Sequence, residues 1–455
     1  MRVGIIGNYT LNEERKLPLI RYFLPSLGAA LVAGMTPDEF DVEILDERNI
    51  DFNEDFDLIG ISVNTTSFSL RAYQISKRFR ELGKTVVFGG LHVTLLPFEA
   101  AKHADVVVVG PAEGGAWTQV LEDFKTCTLR KFYFGSAYHY AQFKNTHVLN
   151  NNNTFVVDCL NEEFPALSGI PKPRVDLGPK TFLTPIQATR GCPNHCGFCV
   201  KSGVEGKNHR KRPLKEVIDE IKGLTPLKPI IFVDNNLLAD SQYALDLFRE
   251  LKKLKRRWVC ATPIENLMGQ DKFLLEKAAK SGCVAIEFGF ETLNPSANLI
   301  LNTEKPPSKY EKAIKEIHKK GITIIGTFVF GFDGDDENTI KNTLRFIENS
   351  KIELPSVHIL TPFPGTPFFN ELDNEGRVLH YDWSKYDTRH VVFKPRDIST
   401  LELQAGFYQA EARIRTLKYS IKRGFKPNTP ALRSLPANIA LSIGYKLSNR
   451  NGLRL

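Results

Sequence analysis

The chain has 455 residues, 42% apolar and 25% charged, a composition that allows a buried core in two or three domains of roughly 100–200 residues each. Its formal net charge of +8 is matched by the segment from Thr416 onward, where eight lysines and arginines stand without an acid. The rest therefore sums to zero, and a nucleic-acid-binding body is excluded. No run reaches the ~18 uncharged apolar residues of a membrane span, and the N-terminus has no apolar leader, so a cytoplasmic protein is expected.

Residues 2–7, 41–46, 58–63, 85–90 and 105–110 read as short β-rich runs separated by helical patterns such as 69–82. That alternation predicts an open, mostly parallel α/β sheet of Rossmann-like type over residues 1–135. Such sheets bind ligands beyond the carboxyl ends of their strands. Three loops lie there: Asn64-Thr65, Gly89-Gly90-Leu91-His92, and Gly110 through Glu113. Glycines let a backbone approach a ligand closely, and hydroxyls and amides supply hydrogen bonds. Residues 136–180 carry an asparagine run at 150–153 and four prolines, the signature of a linker.

A second alternating series follows, with strands predicted at 183–189, 229–234, 258–263, 284–290, 323–332 and 356–361 and helices at 214–224 and 307–320. Six β-α units over residues 181–395 predict a TIM-like partial barrel, whose active site sits at the carboxyl ends of the strands. That rule places a cysteine loop after the first strand and Asp234, Asn235 and Asn236 after the second. Glu265-Asn266 follow the third, Glu287 and Glu291 lie on or after the fourth, Asp333 follows the fifth, and Thr361-Pro362 the sixth. Asp333 and Asp335 are expected to be solvated loop acids, and Glu287 and Glu291 are alternatively a structural pair. Cys260 and Cys283, within or beside strands, read as small buried apolar residues.

Residues 396–455 predict a helical, basic C-terminal region. Ser399 and Glu402 form a capping box, and Phe407, Ala410, Ile414, Leu417 and Ile421 form an apolar stripe. The basic tail mixes lysine and arginine with apolar residues. It is read either as a contact with an anionic membrane surface or as a solvated segment.

Seven cysteines are present, and Cys192, Cys196 and Cys199 fall within eight residues. This points to a reduced compartment and a metal site rather than a disulfide framework. Three thiolates can hold three irons of a cubane cluster and leave the fourth iron open. Structural zinc needs four closed ligands. His195 or His209 would have to be the fourth, and the C-x-x-x-C-x-x-C spacing is not a usual zinc pattern.

Cys-x-x-x-Cys-x-aromatic-Cys, directly after the first strand of a six-unit barrel, resembles the radical S-adenosylmethionine (SAM) superfamily. The resemblance implies a [4Fe–4S] cluster on Cys192, Cys196 and Cys199, whose open iron chelates SAM for reductive cleavage to a 5′-deoxyadenosyl radical. It also implies Phe198 near the adenine, Asp234, Asn235 and Asn236 near the SAM amino group, Glu287 or Glu291 at the ribose, and Gly326 on the strand bordering the adenine. Residues 61–65, 89–94, 108–110, 361–367 and 386–393 resemble the radical SAM proteins with an N-terminal cobalamin-binding domain. Within that subset the likeness is greatest to hopanoid- and lipid-modifying methylases and to anaerobic cyclases.

That second resemblance implies cobalamin near Asn64, Thr65, Gly89, Gly90, His92, Gly110 and Glu113. It implies methylation of an unactivated carbon, with a lipid or other small molecule as substrate, and a reductant such as flavodoxin or ferredoxin. Two departures stand out. After the first strand the chain reads Asn8-Tyr9-Thr10-Leu11-Asn12 in place of a cobalt-ligating Asp-x-His-x-x-Gly loop, and Pro111-Ala112 replace a Gly-Glu-Gly type turn. His92 is alternatively a loop histidine bonded to backbone. The rival functions are a radical cyclase or oxidoreductase, and a non-catalytic iron–sulfur carrier or sensor with Cys260 or Cys283 as fourth ligand.

Overall fold

A computed structural model describes residues 1–7, 26–135, 146–148, 155–157, 167–177, 182–194, 196–205, 208–267, 272–301 and 307–424. The first sheet comprises β1 (Arg2–Gly7), β2 (Asp41–Asp46), β3 (Leu58–Ser62), β4 (Thr85–Gly89), β5 (Val106–Val109) and β6 (Phe132–Phe134). Its strand order is β2-β1-β3-β4-β5-β6, and every pairing is parallel. Parallel strands are covered on both faces and so read as unbroken apolar runs; β5 is four consecutive buried valines. One face packs Phe56, Ile59, Phe79 and Phe88, the other Val3, Ile5, Ala33 and Trp117. The chain reverses its direction of growth between β1 and β3, the topological switch point where such sheets open a crevice.

The five predicted strands of this sheet form, and β6 adds a sixth that the sequence reading did not anticipate. Phe132-Tyr133-Phe134 is too short to show a period, and pairing with β5 makes it a strand. Within residues 136–180, read above as a linker, two short strands are described. β7 (Thr146–Val148) and β8 (Phe155–Val157) pair antiparallel, and the asparagine run between them lies outside the described residues. Residues 167–177 touch both halves of the molecule. Arg174 N donates to Ala30 O at 2.9 Å, and Gly169 N to the Glu216 carboxylate at 3.2 Å.

The second sheet contains β9 (Thr184–Ile186), β12 (Ile230–Phe232), β13 (Trp258–Ala261), β14 (Cys283–Glu291), β15 (Thr323–Phe330) and β16 (Leu354–Ile359). All pairings are parallel and follow chain order. β9 and β16 do not pair, so the barrel is partial. Between β9 and β12, β10 (Thr189–Arg190) and β11 (Arg210–Lys211) form an antiparallel pair. Helices, among them Leu214–Lys222 and Pro307–Lys319, cover the outer face. There Trp258 stacks on Phe248 with centroids 5.1 Å apart, and Phe290 on Phe328 at 5.1 Å. Cys260 and Cys283 belong to this core, as expected.

The helix Thr400–Ile414 starts in the predicted capping box: Glu402 N donates to Ser399 Oγ at 3.2 Å and Ser399 N to Glu402 Oε2 at 3.0 Å. Phe407, Ala410 and Ile414 are buried, but Leu417 is 41% exposed. The stripe breaks because the helix ends at Ile414 and a new one, Leu417–Gly424, begins. The side chain of Ile421 and the tail from residue 425 lie outside the described residues. No helix among those residues is long and apolar enough to cross a membrane.

Candidate functional site

The carboxyl ends of the two sheets face each other across a cavity of about 360 Å³. The first sheet lines it with Gly60, Asn64, Gly89, Gly90 and Thr94; the second contributes Gln187, Arg190, Lys201 and Glu205.

On the second-sheet side, the β10–β11 pair closes a loop that carries all three clustered cysteines. Gly191, at φ +86°, turns the chain out of β10, and its N–H donates to Glu205 Oε2 at 3.1 Å. Gly197 N donates to Ile300 O at 2.8 Å, Phe368 N to Gly197 O at 3.0 Å, and Cys199 N to Cys196 O at 3.0 Å. Cys192, Cys196 and Cys199 are unbridged and half-buried. Among the described residues no three Cys, His, Asp or Glu side chains are already spaced to hold an ion. The fit to a cluster therefore rests on the donor set: three unbridged, soft thiols on one pinned loop suit iron–sulfur ligation. Cys260 and Cys283 are buried in the helix-facing core and Cys127 is exposed, so neither core cysteine offers the fourth sulfur that a carrier would need. His209 Nε2 lies 3.2 Å from Asn236 O, and His195 lies outside the described residues.

The Asp234-Asn235-Asn236 segment divides into three separate tasks. Asp234, 2% exposed, accepts from Ala188 N at 3.2 Å, from Thr189 N, and from Thr189 Oγ1 at 2.6 Å. Asp234, which the resemblance placed near the SAM amino group, thus ties the end of the first strand. Burial pushes its carboxyl up to about 6 despite those bonds. Asn235 Nδ2 donates to Glu205. Asn236, fully buried, accepts from Thr262 Oγ1 at 2.8 Å and Asn266 Nδ2 at 2.7 Å. That leaves its own Nδ2 directed at Cys192 Sγ, 3.8 Å away.

Strand register sorts the remaining residues. Residues opposite one another in a parallel pair share a face, so Ala261, Glu287 and Ile325 form one row and Gly289, Thr327 and Ser356 the next. Glu287 is open to solvent yet ringed by protein, and this desolvation raises its carboxyl; Thr327 Oγ1 is 3.4 Å away. Glu291 leaves β14 at a register shift with φ +59°. Its carboxylate folds over Gly289, where an added Cβ would lie 2.3 Å from Glu291 Oε1.

Gly326 faces the helices: a Cβ there would meet Ile352, Phe290 and Phe328 at 3.0–3.3 Å. Its small size suits that packing. Phe198 packs edge-on against Phe332 with centroids 5.9 Å apart. Neither loop acid is merely solvated. Asp333 pairs with Arg377 at 2.7 Å and Arg396 at 3.1 Å. Asp335, 1% exposed, binds Asn294 Nδ2 at 2.8 Å and the N–H groups of Gly331 and Phe332, and burial pushes it up to about 6.

On the first-sheet side the space is made by glycines. Gly90 has φ 107° and ψ −178°, a region essentially open to glycine alone, and a Cβ would lie 2.8 Å from the Val63 backbone. At Gly28 a Cβ would meet the Asn64 side chain at 2.8 Å. Gly28, Gly60, Gly89, Gly90 and Gly110 line the cavity, where bare backbone lets a large cofactor approach closely. Gly110, Pro111, Ala112 and Glu113 also line the cavity, so the altered turn keeps its place. Thr65 is exposed and outside the lining.

His92, which the resemblance placed near the corrin, sits apart from the cavity lining and has no exposed surface. The helix Leu91–Leu95 places positions three apart on one face, so Leu91 and Thr94 look into the cavity and His92 looks away. Its ring nitrogen contacts Tyr73, not backbone.

Three contributors escaped the sequence reading. Thr94 Oγ1 donates to Gly90 O at 2.9 Å and accepts from Gly110 N at 3.0 Å, joining two cavity loops. Glu205 joins Gly191 to Asn235; its signal was an acid amid the basic run 201–212. Arg190 Nη2 donates to Glu113 Oε1 at 2.8 Å, with both side chains largely buried. This pair spans the cavity rim, two residues before Cys192.

Family models for the Radical SAM superfamily and the B12 binding domain match residues 186–347 and 19–116. A bacteriochlorophyllide d C-12(1)-methyltransferase of Chlorobaculum tepidum is 32% identical over 85% of this chain and 82% of its own. A hopanoid C-2 methylase of Rhodopseudomonas palustris is 24% identical over 92% of this chain and 78% of its own. The solved structure of the cobalamin-dependent S-adenosylmethionine radical enzyme OxsB with aqua-cobalamin bound has a TM-score of 0.63 at 15% identity, covering 98% of this chain and 72% of that one.

Proposed function

The chain belongs to the radical SAM superfamily, in the group that also carries a B12 binding domain, and from that premise we propose that it methylates an unactivated carbon of an apolar small molecule. One observation carries the reading: a single cavity is lined by the glycine loops of the first sheet and by Arg190, two residues before the first clustered cysteine.

In this reading residues 1–135 hold cobalamin, 136–180 connect, 181–395 hold the cluster and SAM, and 396–455 form a basic C-terminal region. Cys192, Cys196 and Cys199 ligate the cluster. When bound, the cluster supplies the electron that breaks the SAM sulfonium bond, and cobalamin carries the methyl group. The chain's own residues orient and exclude water. Asn236 directs its amide at Cys192, Glu287 presents a carboxylate from the barrel interior toward the SAM ribose, and Phe198 walls the adenine side.

Gly28, Gly89, Gly90 and Asn64 receive the corrin. A low-potential protein such as flavodoxin or ferredoxin supplies the electron. The relatives named above act on a bacteriochlorophyllide and a hopanoid. We extend that class, a large apolar ring system, to this chain, with the basic tail as its contact with a lipid surface.

Anaerobic reconstitution with iron, sulfide, cobalamin and SAM, followed by product analysis on extracts of apolar metabolites, tests the reading. Methylation adds one methylene to a metabolite. Loss of two hydrogens instead would favour a radical cyclase, and absence of SAM cleavage would overturn the enzyme reading.

A further inference from the structure

A second polar cluster joins the two halves, and neither the cysteine motif nor the cofactor loops use it. Glu99, its side chain 17% exposed, accepts from Trp383 Nε1 at 2.9 and 3.0 Å on its two oxygens. It also accepts from the Tyr73 hydroxyl at 3.0 Å, and that hydroxyl lies 3.1 Å from His92 Nε2. A phenol has one proton to give. With Glu99 taking it, His92 must donate through Nε2, which leaves Nδ1 as a bare, buried acceptor. Burial holds the imidazole neutral and raises the Glu99 carboxyl above its ordinary value.

Such a cluster is costly to bury unless its groups are bonded, and two of the three hydrogen bonds that Glu99 accepts come from the far side of the molecule. Tyr73, His92 and Glu99 belong to the first half; Trp383 follows β16. Around them runs an apolar seam in which Leu95 and Leu96 pack with Val200, Val204, Phe369 and Tyr386. Val200 directly follows Cys199. The helix Leu91–Leu95 therefore works as a spacer. One face gives Leu91 and Thr94 to the cavity, the other meets the helix Val200–Glu205 that leaves the cysteine loop. Glu99 sits just beyond its end.

We propose that Glu99, gripped by Tyr73 and Trp383, is a positioning residue that sets the separation between the cofactor cavity and the cysteine loop. The idea rests on the cofactor placement proposed above. It goes further in assigning the spacing to a specific polar clamp outside both binding sites. A displacement of about 1 Å between reacting groups can cost on the order of 100-fold in rate, so spacing of this kind decides whether a radical made on one side meets a methyl group held on the other.

The test uses the full-length protein loaded with iron, sulfide and cobalamin, in wild-type form and as Trp383→Phe and Glu99→Gln. The first removes the indole N–H together with part of the ring's packing on Tyr381 and Tyr386; the second keeps the side chain's size but removes its charge and one acceptor oxygen. With the cluster reduced and cobalamin as cob(II)alamin, both centres carry an unpaired spin, and their proximity splits the cob(II)alamin EPR signal. Both variants are expected to keep wild-type iron and cobalamin content yet to lose the wild-type splitting. Amides of Leu91–Leu95 should exchange roughly tenfold faster, the scale of one lost charged hydrogen bond. Wild-type splitting and wild-type exchange in both variants would overturn the clamp. If the wild-type protein itself shows no magnetic interaction, the shared-cavity placement fails, and the exchange rates alone then decide whether the clamp holds the two halves together.

Discussion

Both sheets turn the carboxyl ends of their strands toward one junction, but the first equips it with space and the second with bonded side chains. Gly28, Gly60, Gly89, Gly90 and Gly110 give the first half a wall of bare backbone beside apolar side chains such as Leu31 and Trp117. The second half is a mesh: Asp234 on Thr189, Asn236 between Thr262, Asn266 and Cys192, Glu205 between Gly191 and Asn235. The difference follows from the cargo each is proposed to hold. A large cofactor is bound by many weak contacts over a shaped surface. A cluster on three short side chains needs them fixed by a supporting shell of hydrogen bonds.

The largest effect should come from the mesh. The triple Cys192→Ala, Cys196→Ala, Cys199→Ala variant is expected to lose iron–sulfur absorbance and deoxyadenosine formation completely while still binding cobalamin. Loss of cobalamin as well would show that the two halves are a single binding unit.

Next is the pair that crosses between them. Arg190→Met leaves Glu113 buried without its cation and should destabilise the protein by about 3 kcal/mol, with part recovered on adding Glu113→Leu. Denaturant midpoints measure both; equal midpoints for wild type and Arg190→Met would mean the rim pair is solvated.

On the space side, Gly90→Ala forces a side chain into a glycine-only conformation at a cost of about 1–3 kcal/mol. Cobalamin affinity should fall roughly tenfold or more with iron content unchanged. An unaltered cobalamin titration would remove Gly90 from the cradle.

The smallest effect concerns His92, whose pKa falls from 6.5 to about 3 on burial. As pH drops below 6.5 the unfolded chain takes up a proton that the folded one refuses, so stability is lost progressively down to about pH 3. His92→Gln keeps the donor and lacks the titration; near pH 5.5 it should recover about 1 kcal/mol relative to wild type, compared with neutral pH. Parallel slopes for the two proteins would place the protonation elsewhere.

Much of this molecule follows from local pattern. Alternating apolar runs and helical spacing determined two parallel sheets, because burial on both faces imposes that pattern strand by strand. Cysteine spacing picked out the loop, and Ser399 with Glu402 fixed a helix start, since each depends on neighbours a few residues away. The directions of side chains after a strand ends were not legible: Asp234 turns inward to β10 while Asn236 turns to Cys192, and His92 turns away from the cavity that Leu91 and Thr94 line.

Tertiary structure alone decided the joins. Arg190 and Glu113 are 77 residues apart, Glu99 and Trp383 284 apart. Periodicity and propensity act between neighbours along the chain, whereas a contact between two folded halves depends on where every intervening element has already packed.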